Sequence, residues 1–215
     1  MSTTTTPAAQ ASSQLGYDAG LLVLRLAIGL TVAAHGTQKL FGWFGGGGIS
    51  GTGQFFSASG YPAGDAMAVV AGLSETLGGL GLALGLLTPL AAAAVLGVLI
   101  NAIAVHGTGS FFAPKGFEYE STLALAAAAL ALAGPGRLSV DHYLPVLRTH
   151  RLVYGIAAIV LAVVAAIVVL LVRCATDLGR RSVVRRAGPC ARGPQCARRN
   201  VSIAVASATG ASSIA

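Results

Sequence analysis

Five long apolar runs constrain this chain more than any motif in it. They cover residues 20–40, 65–87, 89–105, 117–133 and 152–172, and each is rich in Ala, Val, Leu and Gly. A hydrocarbon core of about 30 Å takes roughly 20 apolar helical residues to cross, so these lengths predict membrane spans, the third and fourth of them short. None of the runs alternates polar and apolar residues with period two, and Ala and Leu favour helix over strand. With 54% hydrophobic and only 10% charged residues, and a mean hydropathy of +0.75, most of the chain belongs in lipid. The expected fold is an all-α membrane protein, a four-helix antiparallel transmembrane bundle plus a fifth C-terminal hydrophobic helix. Turns as short as Leu87-Thr88-Pro89 make successive helices antiparallel neighbours.

Composition then divides the chain. Residues 1–18, MSTTTTPAAQASSQLGYD, are polar and carry no Lys or Arg, so they read as a disordered tail. They lack the basic n-region of a cleaved signal peptide, and the first helix is expected to be retained. Residues 19–145 form the four-helix domain, in which 41–63 reads as a glycine and aromatic lid or re-entrant segment. Residues 152–172 are the fifth hydrophobic helix. Residues 173–215 form a basic tail, expected to be disordered, with eight arginines. Residues after about 150 read either as a late addition or shifted reading frame, or as a functional extension whose basic tail is held on anionic lipid. No folded nucleic-acid module accompanies the arginines, which excludes nucleic acid as a partner. Cys174, Cys190 and Cys196 all follow the fifth run, and none forms a Cys-x-x-Cys. That spacing argues against dithiol chemistry in the bundle and against a bound iron–sulfur cluster.

Charged residues inside a membrane are costly and need a partner or a purpose. Arg25 and Glu75 are the two clear cases, and their depths make a structural Arg25–Glu75 ion pair the simplest expectation. Small residues recur beside them, at Gly29, Ala33 and Gly36 on the first run and at Ser74, Gly78, Gly81 and Gly85 on the second. Such stripes let helix backbones approach closely. Helix parity collects His35, Gln38, Lys39, His106, Lys115, Glu118 and Glu120 at one membrane face. A His/Glu group there fits a metal site, a proton relay to a quinone, or plain headgroup contact; no His-x-x-x-His spacing favours metal. Orientation is contradictory: over four helices, three arginines against two lysines favour cytoplasmic termini, whereas the fifth helix sends the arginine tail to the other side.

Three stretches, HGTQKLFGWFGGGGISGTGQFF, SETLGGLGLALGLLTPLAA and HGTGSFFAPKGFEYESTLALAAAALALAGPGRLSVD, together resemble the DoxX family of small integral membrane proteins, related to the DoxD-type subunit of thiosulfate:quinone oxidoreductase. The resemblance covers residues 17–143. It implies a four-helix unit in the plasma (inner) membrane with a redox role, and it points to His35, Gln38, Lys39, Phe41, Gly42, Gly45, Gly51, Glu75, His106 and Glu118. On this reading His35, His106, Glu118 and Glu75 are the catalytic candidates, and Gln38, Lys39, Phe41 and Trp43 hold a membrane quinone. No flavin, haem, iron–sulfur or metal motif is visible, so electrons come from a partner or a small reductant; the resemblance implies soluble partners such as a sulfurtransferase and a superoxide dismutase. Membrane lipid and a homo-oligomer complete the expected partners. The alternative is a non-catalytic membrane scaffold for soluble redox enzymes, or a small-solute transporter, and whether the chain is an enzyme stays open.

Overall fold

The computed structural model describes residues 7–107, 109–112, 116–144 and 151–186. Within them lie six α-helices: α1 Pro7–Phe41, α2 Gly48–Ala58, α3 Gly64–Leu84, α4 Thr88–His106, α5 Glu118–Ala133 and α6 Leu152–Arg186. Two 3₁₀ turns, Trp43–Gly45 and Val140–Tyr143, interrupt the connections. The described residues contain no strand, and the protein is an all-α membrane protein. Four stretches are long and apolar enough to cross a membrane: Gln14–Phe41, Gly64–Leu84, Thr88–His106 and Leu152–Arg180. The fifth expected span, α5, has 16 residues, about 24 Å of helix. It nevertheless runs from one end of the bundle to the other, because its first turn reaches His106 and the segment after it reaches Asp18.

The ends differ from expectation in two places. Helix α1 begins at Pro7, so residues 7–18 are helix rather than a disordered tail. Ala and Gln are good helix formers and propagate the membrane helix outward. Helix α6 continues past 172 to Arg186, which shortens the expected basic tail; residues 187–215, with Cys190, Cys196 and Arg192, lie outside the described residues. Within the expected lid or re-entrant segment 41–63, the glycine run is followed directly by a helix, α2.

Helix α3 is the hub between α1 and α4, and α5 and α6 close against α4. Glycine on two sides of α3 allows this. Gly29 and Gly36 of α1 meet Gly79 and Thr76 of α3 so closely that a Cβ on Gly79 would lie 2.5 Å from the Gly29 oxygen and 2.6 Å from the Ala33 nitrogen. Gly78 and Gly81 face α4 instead, against Val95 and Ala91. Each neighbour therefore has its own stripe. Helix α6 uses a third, with Ala158, Ala162 and Ala166 buried and Gly155 seated on the Ala131 carbonyl. We expect Gly79→Val to lower stability by about 3 kcal/mol, the top of the overpacking range, because the obstructing atoms are backbone. Gly20→Ala, with nothing within 4 Å of the added carbon, should leave the thermal midpoint in detergent unchanged; equal midpoints for the two variants would contradict this packing.

At the end bearing the α3–α4 turn, buried polar groups hold four segments together. Leu86 and Gly85 close α3 with bonds from Leu86 N to Gly81 O (2.8 Å) and from Gly85 N to Leu82 O (3.1 Å). Gly85 takes the left-handed conformation such a cap requires, at φ 66°. Asp141, arriving after α5, then caps α4. It accepts from Leu87 N (2.7 Å), Thr88 N (3.0 Å) and Thr88 Oγ1 (2.8 Å). Asp18 on α1 accepts from Arg137 N at 3.0 Å.

Arg25 lies in this same cluster and not beside Glu75. Its guanidinium is fully buried, donates through Nη2 to the Leu138 carbonyl, and abuts Gly85. The carboxylate acting on it is that of Asp141. The expected Arg25–Glu75 pair is thus corrected: the close α1–α3 packing sets Arg25 level with the end of α3, a position Glu75 does not reach.

Candidate functional site

The opposite end of the bundle gathers most of the charged and aromatic residues singled out from the sequence. Gly36, with no room for a Cβ against Thr76 N at 2.5 Å, draws the last turns of α1 onto α3. Lys39 then reaches back to Glu75, with Nζ donating to Oε2 at 2.6 Å. The pair is asymmetric, 25% exposed at the lysine side chain and 5% at the glutamate. A buried carboxylate needs this cation, and a lysine stem supplies it from the helix end.

One turn earlier on α1, His35 Nε2 and Tyr119 Oη share a hydrogen bond of 2.8 Å, in which either group donates according to the imidazole tautomer. Their rings meet edge to face at 5.5 Å. The next residue of α5, Glu120, turns the other way to His106, at 3.4 Å from Nδ1; that nitrogen also donates to Ala102 O at 3.1 Å. Adjacent helical residues point about 100° apart, so the first turn of α5 addresses both histidines at once. Glu120 Oε2 is buried with no hydrogen-bond partner.

Glu118 begins α5, and its carbonyl accepts from Thr122 Oγ1, while the carboxylate facing His106 is that of Glu120. The two glutamates lie about 200° apart on the helix, so only one can face His106. Gln38 serves the loop, its Nε2 donating to Phe44 O at 3.4 Å. Phe41 and Trp43 stack on one another at 5.3 Å and stay 62% and 58% exposed, which is the disposition of an interfacial belt.

The glycine segment folds over this end. Gly42 is left-handed (φ 72°) and Gly46 packs against the Gln38 backbone, where a Cβ would lie 2.5 Å from the Gln38 oxygen. Helix α2 then lies against α3 and α1. Its C-terminal carbonyls, which no helix bond satisfies, are met from α6. Arg173 Nε donates to Ser59 O at 2.8 Å and Arg180 Nη1 to Ser57 O at 2.9 Å. The Arg173 guanidinium also lies over the Tyr61 ring, 5.2 Å from its centre. Burial pushes the Tyr61 hydroxyl above the usual phenol range, with Arg173 opposing, and that hydroxyl donates to Asn101 Oδ1 at 3.3 Å. Among the described residues no group of three or more His, Cys, Asp or Glu is placed to hold a metal ion.

Tyr119 and Asp141 are residues that the sequence did not single out, and Glu120 and Arg173 were placed at this face and in the basic tail without the partners they have here. Of Tyr119 and Asp141, only Tyr119 carried a signal, as an aromatic residue opening an apolar helix.

These features define a polytopic helical membrane protein with a hydrogen-bonded cluster of charged and aromatic side chains at one end of its bundle. Residues 20–108, from α1 to just past the end of α4, match the model of the DoxX family. Comparison with curated proteins and with solved structures gave no significant match. Tyr119, Glu120 and all of α6 lie beyond the matched residues.

Proposed function

We propose that this chain is the membrane subunit of an oxidoreductase that passes electrons to quinone, with the quinone head seated at the His35–Tyr119 pair. The observation that carries the reading is the 2.8 Å bond between these two proton-exchanging groups, one turn from the Lys39–Glu75 pair. Helices α1 and α5 touch only lightly, so a head group carried by lipid approaches between them. Reduction of a quinone to a quinol takes two electrons and two protons. The electrons come from a soluble partner protein or a small inorganic reductant such as thiosulfate, which loses two electrons for each quinone reduced. Imidazole and phenol supply protons where the quinone oxygens take up charge. Lys39 stabilises negative charge developing on those oxygens, while the Glu120–His106 pair lies on the same rim. The plasma membrane is the site of action on this reading.

Tyr119→Phe keeps the ring and removes one hydrogen-bonding group. Its affinity for a short-chain quinone, titrated by intrinsic fluorescence, should fall about five- to tenfold, the worth of one hydrogen bond, with an unchanged thermal midpoint. Equal affinity in the variant and the native chain would remove the pair from the site.

A further inference from the structure

We propose that the surface where α2 meets the end of α6 binds the phosphate headgroups of anionic lipids in the cytosolic leaflet. The bonds from Arg173 and Arg180 to Ser59 and Ser57 place the end of α6 at the same membrane face as the end of α1. Depth is fixed by the exposed Phe41, Trp43 and Phe44, which belong at headgroup level. From that depth outward α6 carries Arg173, Arg180, Arg181, Arg185 and Arg186. The opposite face has Arg137 and Arg151 among the described residues. An excess of Lys and Arg close to span ends marks the cytosolic side, which reverses the orientation that four helices alone favour.

The surface has a shape as well as a charge. A cleft of about 430 Å³ opens between α2 and α6, lined by Ser59, Gly60, Leu170, Arg173, Cys174 and Asp177. Left-handed Gly60 (φ 92°) lets the α2 end pass beside the Arg173 stem. Arg180 is exposed and donates one bond to Ser57; a guanidinium fork has five donors and matches phosphate geometry. A phosphatidylglycerol headgroup presents such a phosphate.

The test uses the full-length chain in detergent micelles containing equal phosphatidylglycerol and phosphatidylcholine, with retained lipid counted by native mass spectrometry. In the triple variant Arg180→Gln, Arg185→Gln, Arg186→Gln, retained phosphatidylglycerol should fall about fivefold or more. The corresponding triple Arg→Lys variant should keep most of it, and phosphatidylcholine should not change. Equal retention in the native and Gln chains overturns the proposal. Displacement of the lipid by inorganic phosphate at matched ionic strength would make this a free-phosphate site and overturn it too. Sidedness is read separately from Cys174, which is exposed. A membrane-impermeant maleimide should label it in inverted vesicles; labelling in intact cells would refute the cytosolic assignment.

Discussion

Asp141→Ala should lower the stability of the folded chain by about 3–5 kcal/mol, the cost of leaving a buried charge and its donors unpaired. Leu87 N–H, Thr88 N–H and the Thr88 hydroxyl would lose their common acceptor. Thr88 is fully buried, so water does not replace the lost oxygen. Arg25, also fully buried, would lose the carboxylate that acts on it. Asp141→Asn should recover only part of the loss, since its amide group brings donors where two acceptor oxygens are needed. Thermal unfolding in detergent measures both, and a midpoint for Asp141→Ala within a degree of native would contradict the role given to this residue.

The second large effect is expected at Lys39. Lys39→Ala strands Glu75 with a nearly buried carboxylate, and the loss should be about 3 kcal/mol, the low end for a broken buried pair because a quarter of the lysine side chain meets solvent. Exchanging the two, Lys39→Glu with Glu75→Lys, should restore most of it. Exchanging Arg25 with Glu75 should restore nothing, because Arg25 sits with Leu138 and Asp141 at the other end of the bundle. Rescue by the Arg25 exchange and none by the Lys39 exchange would invert this assignment.

Burial periodicity made the helices readable and left the partners hidden. Runs of Ala, Leu and Val located four of the spans, α3 and α4 among them, because lipid demands length and hydrophobicity of each helix separately. The glycines of α3 were readable as a stripe, but not as two stripes serving different neighbours, since that depends on how α1 and α4 are arranged around it. Arg25 and Glu75 stood out as intramembrane charges. Their pairing did not, because helix offset moves a charge by several ångströms and Lys39 can reach what Arg25 cannot. Asp141 looked like any acidic residue in a loop after Gly-Pro-Gly, and only the chain's return to the α3–α4 turn makes it a cap. The rim histidines were legible as a one-sided group. Tyr119 was not assigned to it, and Glu118 was chosen over Glu120, because which side chain faces His106 is decided by the rotation of α5. Helix α6 looked dispensable on composition, yet its buried alanines and its arginine contacts to α2 make it part of the bundle.

A quinone received by the cluster around His35 should stay with the purified chain, where it can be counted. Solvent extracts of the native protein and of His35→Ala, compared at equal thermal midpoint, are quantified by mass spectrometry against protein. Quinone near one per native chain is expected, with most of it lost in the variant. Quinone no higher than the lipid background in the native protein, or equal amounts in both, would contradict a quinone site at His35 and leave the scaffold reading in its place.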